Sequence, residues 1–324
     1  MITRRNFAMS LAALPLGLSP IAAARAESYP DRPIRMIVPF PAGGSTDVGT
    51  RLIARYLSGS LGRQVYVENR SGANGTIGVE AVAKSEPDGY TLLATIDTVA
   101  SNQFVFNTNI DPAKDLTPII EVSRQPIVFA AHPSLGVNTL AELIALARSQ
   151  PGLRYATGSG LGSPQHMAMQ WFGKLAGVTL EQVPYRGGGQ AINDLLGGHV
   201  KLGALGSTPL IPHYKAGTLR LLAQSTATRS SSLPEVPTFA EAGVAGLVLE
   251  QWLGVFAPVH TPAAITMRLN TEIGRALSDP AVRKGLLDSA QEPVGGSAEE
   301  FTRFVGAASL QFARLVKELN IKPE

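Results

Sequence analysis

Val38-Pro39-Phe40-Pro41-Ala42-Gly43-Gly44-Ser45-Thr46-Asp47 joins an apolar, strand-like run from Ile34 to Val38 to an amphipathic helix. Val48, Leu52, Tyr56 and Leu57 fall near helical spacing. A strand that turns through proline and glycine directly into a helix is the repeating unit of an α/β protein. Gly43 and Gly44 let the backbone approach a ligand with no Cβ in the way. Ser45 or Thr46 can cap the helix, and Asp47 stands in its first turn. The N–H groups of such a helix start have no intrahelical acceptor and attract anions.

The same unit recurs. Tyr66-Val67 leads through Asn69-Arg70-Ser71-Gly72-Ala73-Asn74-Gly75 to a helix marked by Ile77, Ala81 and Val82. Asp88-Gly89 turns the chain into a strand from Thr91 to Ile96. Leu153 to Ala156 leads through Thr157-Gly158-Ser159-Gly160-Leu161-Gly162-Ser163 to a helix with Met167, Trp171 and Leu175 expected inward. Ser163-Pro164 is a helix start, a side-chain cap followed by proline at the first helical position. Glu181 to Pro184 leads to Tyr185-Arg186-Gly187-Gly188-Gly189, and Val200 to Leu205 leads to Gly206-Ser207-Thr208-Pro209. Capping boxes at Thr139/Glu142, Thr238/Glu241 and Ser297/Glu300 mark further helix starts. Residues 226–246 read as a long connection with short helical pieces, and the stretch after Phe256 as helical throughout.

This alternation predicts α/β layers on mainly parallel sheet. Ile119 to Val122 and Ile127 to Ala130 read as two strands separated by Ser123-Arg124-Gln125-Pro126, where the chain is expected to cross between domains. Leu249 to Phe256 is the expected return. Residues 27–124 and 251–324 then form one domain and residues 125–250 the other, joined by a two-strand hinge with a ligand cleft between them.

At 324 residues, 44% hydrophobic and 16% charged, the chain is long enough for two cored domains. Residues 1–26 read as a secretory signal peptide: Arg4 and Arg5 precede an apolar run from Leu11 to Ala24, and Ala24-Arg25-Ala26 offers small residues for cleavage. Thr3-Arg4-Arg5-Asn6-Phe7 also resembles the twin-arginine export motif. Without that segment the balance is 28 − 3 = 25 Lys+Arg against 25 Asp+Glu, so electrostatics give no case for nucleic acid. There is no cysteine, so an exported chain must rely on its core rather than on disulfides. A periplasmic location fits these features.

The sequence has no G-x-S-x-G, S-x-x-K or P-loop, and Ser163 stands where a dinucleotide fingerprint needs its third glycine. His132, His166, His199, His213 and His260 show no zinc-site spacing. No catalytic residue, cofactor or metal is expected. What remains is a set of four Gly/Ser turns feeding helix starts, at residues 39–47, 157–163, 185–189 and 206–209, with Arg186 as their one basic residue; that suits a carboxylate better than a phosphate.

Pro39-Phe40-Pro41-Ala42-Gly43-Gly44 with Asp47 resembles the opening of the substrate-binding receptors of tripartite tricarboxylate transporters, the Bug family. The turn from Asn69 to Gly75, Pro87-Asp88-Gly89-Tyr90-Thr91, Ser159 to Ser163 with His166, Val183-Pro184-Tyr185-Arg186-Gly187, and Leu233 to Thr238 with Glu241-Ala242-Gly243 extend the likeness over nearly all of the mature chain, in order. The resemblance implies a periplasmic binding-protein fold, capture of a small organic acid, delivery to a membrane permease, and one carboxylate held by backbone N–H groups of residues 41–44 and 158–163. A monomer is expected. A sensor or adaptor for a membrane signalling partner and an exported enzyme are the alternatives.

Phe40, Pro41, Ala42, Gly43 and Gly44 are accordingly candidate ligand contacts, with Gly160, Gly162 and Gly187 in the later turns. Asp47 either orients the first turn or favours the helix dipole. Ser159 and Ser163 can donate hydroxyls, and Ser163 can equally be a cap alone. His166 braces its turn or bonds the ligand. Asp97-Thr98 ends a strand toward the cleft, and a carboxylate there would welcome an amine or hydroxyl of the ligand. Arg186 pairs with a distal carboxylate or with an acid of the protein. Trp171 and Trp252 are expected in the core.

Overall fold

The computed structural model describes residues 29–322 apart from 107 and 109. The leader expected at residues 1–26 lies outside the described residues. Ten strands form one mixed, curled sheet: β1 (Ile34–Val38), β2 (Val65–Asn69), β3 (Thr91–Ile96), β4 (Leu116–Ala131), β5 (Leu153–Thr157), β6 (Leu180–Pro184), β7 (Leu202–Gly206), β8 (Arg220–Gln224), β9 (Glu250–Pro258) and β10 (Glu292–Gly295). Its principal helices are α1 (Ser45–Ser60), α2 (Thr76–Ala83), α3 (Leu140–Ser149), α4 (Pro164–Ala176), α5 (Gly188–Leu196), α6 (Ala263–Ser278), α7 (Pro280–Asp288) and α8 (Ala298–Glu318).

The strand order β2-β1-β3-β9-β4-β7-β5-β6 makes two α/β halves that share β4. In the first half β1 runs parallel to β2 and β3, and β9 runs antiparallel to β3 and β4. In the second half β5 lies parallel to β6 and β7, and residues Ile127 to Ala131 of β4 pair antiparallel with β7. β4 is thus one continuous 16-residue strand that serves both halves. The sequence suggested two strands with a break. Pro118 and Pro126 each lack a donor, but register shifts after Pro118 and after Glu121 absorb the irregularity, and Pro126 still faces Glu250 of β9.

Each half has its own covering layer. Ile34, Met36 and Val38 of β1 pack with Ile53 and Leu57 of α1 and with Ile265, Leu269 and Ile273 of α6. All of these are buried, and truncating one such residue, as in Leu57→Ala, costs about 2–5 kcal/mol. In the second half Val128 and Ala130 of β4 pack against Ile192 and Leu195 of α5. On the opposite face Phe129 meets Phe239 and Phe172 edge-on, at 4.6 and 5.2 Å between ring centroids.

Three local expectations need correction. The inward face of α4 is Met169, Phe172 and Ala176 with Met167, whereas Trp171 is half-buried and Leu175 is 45% exposed. A line of residues four apart winds round the helix by about 40° per step, so Met167 and Leu175 cannot share one narrow stripe. The Thr238/Glu241 box has both reciprocal hydrogen bonds, at 2.8 and 3.2 Å, yet closes only a turn. The C-terminal stretch is not wholly helical: β10 pairs with residues 121–124 of β4, which Pro293 permits at a sheet edge.

Candidate functional site

The turn after β1 reaches the mouth between the halves. α1 begins behind Gly44, which has no side-chain cap to offer, and the first backbone bond of the helix is Val48 N–H to Gly44 O at 3.0 Å. The N–H groups of Ser45, Thr46 and Asp47 therefore precede the intrahelical ladder. Asp47 shapes this turn. Its buried carboxylate accepts from Gly43 N–H at 3.0 Å, from Arg51 Nε at 2.9 Å and from Asn69 Nδ2 at 2.9 Å. Burial alone would raise its pKa, but the Arg51, Gly43 and Asn69 contacts outweigh burial and hold it below the usual carboxylate value. Paired with Arg51, Asp47 adds no net repulsion to an arriving anion.

Facing this turn is the start of α5. Gly187 precedes it without a side-chain cap, and Gln190 and Ala191 are the first to bond back, each to Gly187 O at 3.2 Å. Gly188 and Gly189 thus present N–H groups ahead of the ladder. α4 differs, because Ser163 caps it by accepting from His166 N–H at 3.3 Å and Pro164 has no donor.

One pocket gathers the two open helix starts. Phe40, Pro41, Gly44, Ser45 and Thr46 line it from the first half and Gly158, Ser159, Gln165, Gly188, Gly206 and Pro209 from the second, with Ile96, Leu205 and Gln251 completing the wall. Its cavity volume is about 30 Å³, so the halves meet closely here. Each helix start contributes roughly 0.3–1 kcal/mol toward a negative group, and up to ~2 where partly buried. A second compartment, with a cavity volume of about 250 Å³, continues past Phe40 and Ser159 and is lined by Gly72 to Gly75, Gly160, Pro184, Tyr185 and Arg186.

The turn after β5 is held mostly by its own bonds. Gly158 N–H donates to Gln165 Oε1 at 2.7 Å, Gly160 N–H to Asn74 Oδ1 at 3.0 Å, and Gly162 N–H to His166 Nδ1 at 3.1 Å. Gln182 Nε2 donates to Thr157 Oγ1 at 2.8 Å behind it. His166 is buried, which pushes its pKa down to about 4, so it is neutral with its proton on Nε2. Ser159 faces both compartments.

The structure therefore brings Phe40, Pro41, Gly44 and Ser159 to one pocket and Gly160 and Arg186 to its neighbour. Ala42 lies beside it, its carbonyl near Gly189, and Gly187 abuts Pro41. Gly43, Asp47, Gly162, Ser163 and His166 sit behind the lining as braces of the two turns. Thr98 is buried just past β3, in a short helical turn. Asp97 is fully buried, and burial raises its pKa well above the usual value. Neither carboxylate oxygen makes a hydrogen bond of good geometry, although the Gln251 amide and the N–H groups of Thr98 and Trp252 lie close enough to favour its charged form. Trp252 is in the core as expected. Ser45, Thr46, Gln165, Gly188 and Gln251 were missed. The signal for Gly188 was present, since three glycines open α5 with no cap.

Two α/β halves on shared crossing strands, with open helix starts in the crevice between them, define a solute-binding receptor of the periplasmic-binding-protein class. Residues 50–321 match the tripartite tricarboxylate transporter family receptor, and the chain belongs to that family. It is 37% identical over 303 residues to protein BugT of Bordetella pertussis, a match spanning 92% of each chain. Among solved structures it resembles R. palustris Rpa4515 with adipate, at a TM-score of 0.88 and 36% identity, over 91% of this chain and 100% of that one. It also resembles MatC from Rhodopseudomonas palustris with bound malate, at a TM-score of 0.83 and 28% identity, over 89% of this chain and all of that one.

Proposed function

We propose that this receptor is exported by residues 1–26, works as a monomer in the periplasm, closes two lobes on a small dicarboxylate and hands it unaltered to the permease of a tripartite transporter. The lobes are residues 27–124 with 251–324, and residues 125–250. The observation that carries this reading is the convergence of two uncapped helix starts, those of α1 and α5, on one pocket. Oriented N–H groups bind a carboxylate without a cation. Gly44, Ser45, Thr46 and Gly188 supply them, and Ser159 adds a hydroxyl. The relatives solved with adipate and malate support a dicarboxylate. Arg186, exposed at the second compartment with its backbone N–H donating to Gln190 at 3.3 Å, takes the far carboxylate in this reading. Asp97, beside the pocket-lining Gln251, favours a ligand with a hydroxyl or amine near that wall.

Calorimetric titration with adipate, malate and aspartate tests this, with the acid recovered and checked by mass spectrometry. Binding of at least one acid, recovered intact, is expected. Failure of every carboxylate to bind, or turnover of the bound acid, refutes the reading. If Asp97→Ala leaves the preference between malate or aspartate and adipate unchanged, its part in selectivity is withdrawn.

A further inference from the structure

Asn74 joins the two halves directly. Its Oδ1 accepts the N–H of Gly160, at 3.0 Å, from the turn of the other half. Its amide cannot turn over, because Nδ2 donates to Asn102 Oδ1 at 2.8 Å, and the Asn102 amide is itself fixed by donating to Asn74 O at 3.0 Å and to Thr76 Oγ1 at 3.2 Å. The acceptor therefore always faces Gly160. The backbone of Asn74 sits at φ +50°, a left-handed conformation that asparagine tolerates better than most residues. Donor and acceptor of the clasp are both atoms of the chain, so it forms without help from a bound molecule.

We propose that Asn74 is a positioning residue for capture: it clasps Gly160 across the cleft and holds a fraction of the empty receptor closed. The proposal rests on the two-lobe reading above. A partly closed empty receptor needs less from its ligand to complete closure, because the ligand stabilises only what the clasp has not.

The absence of cysteine allows a clean distance measurement. Spin labels at Arg55→Cys on α1 and Asn193→Cys on α5, both exposed, report the separation of the halves in the ligand-free mature protein. The parent is expected to show a short-distance component beside the open one. Asn74→Gly removes the clasp while glycine keeps the left-handed backbone unstrained. It is expected to lower the closed-to-open ratio roughly 2- to 12-fold, the worth of one net hydrogen bond. Asn102→Ala, which removes the brace, shifts the ratio the same way. A parent with no closed component, or an Asn74→Gly protein with an unchanged ratio, overturns the proposal. No ligand is added, so a receptor that refuses adipate and malate fails the earlier reading and leaves this result legible.

Discussion

Gly187→Ala is a perturbation whose effect belongs to closure alone. A Cβ built on Gly187 lies 2.8 Å from Pro41 Cδ and 2.9 Å from Pro41 Cγ, across the cleft. Carbon atoms in good contact stand about 3.5–4.0 Å apart, so the halves would have to part by roughly 0.7 Å. Gly187 has φ −176° and ψ 158°, extended backbone open to alanine, so the substitution carries no conformational cost of its own. Overpacking of this kind costs about 1–3 kcal/mol. Because the clash exists only when the halves meet, it weakens ligand binding by roughly 5- to 150-fold and leaves the fold of each half, and so the open empty protein, unstrained. Titration calorimetry with adipate and malate measures the first quantity, and thermal denaturation without ligand the second. An affinity within twofold of the parent refutes the reasoning. So does a ligand-free Tm that falls in step with the affinity, which would put the strain inside one half.

His166 has a folded pKa of about 4 against 6.5 unfolded, so the unfolded chain takes up its proton first. Stability is full above about pH 6.5 and falls by about 3 kcal/mol as pH drops toward 4. His166→Asn keeps an acceptor for Gly162 and should flatten that slope in urea titrations between pH 7 and 4.5. Asp47→Asn should cost about 1.5–3 kcal/mol at pH 7, since three donors lose a charged acceptor. The folded pKa of Asp47 lies below 3.8, so its contribution holds above that pH and fades as pH falls further; the parent's urea midpoint should exceed the variant's at pH 7 and approach it as pH falls below 3.8. Arg186→Ala should weaken adipate binding roughly two- to fivefold, less at high salt, and leave hexanoate unaffected in parallel titrations.

The pattern of strand, glycine turn and helix was legible because each unit states its own periodicity. β4 was less so: its prolines argue locally for a break, and only pairing on both sides keeps the strand whole. The first turn could be read from Pro41 to Asp47 because much of what it turns toward the pocket is backbone, and glycine announces it. In the turn after β5 the same glycine signal misleads in part. Three of its N–H groups serve Gln165, Asn74 and His166; two of those acceptors lie on α4 and the third on the turn before α2, in the other half. A sequence shows that a donor exists and not who takes it. Gln251 and Gln165 reach the pocket from a crossing strand and a helix, positions that only the assembled sheet reveals.

The layer over β1 has a consequence for biogenesis. Val38 shares its core with Leu253, Leu269 and Ile273, which are made more than two hundred positions later. Until they emerge, the strand carrying the first glycine turn is roofed on one side only by α1 and lacks its α6 neighbour. A growing chain, normally free to fold from its N-terminus, must here wait for residues 253–273. Loss of a C-terminal segment should therefore disable a pocket whose first wall, Phe40 to Thr46, stands near the other end.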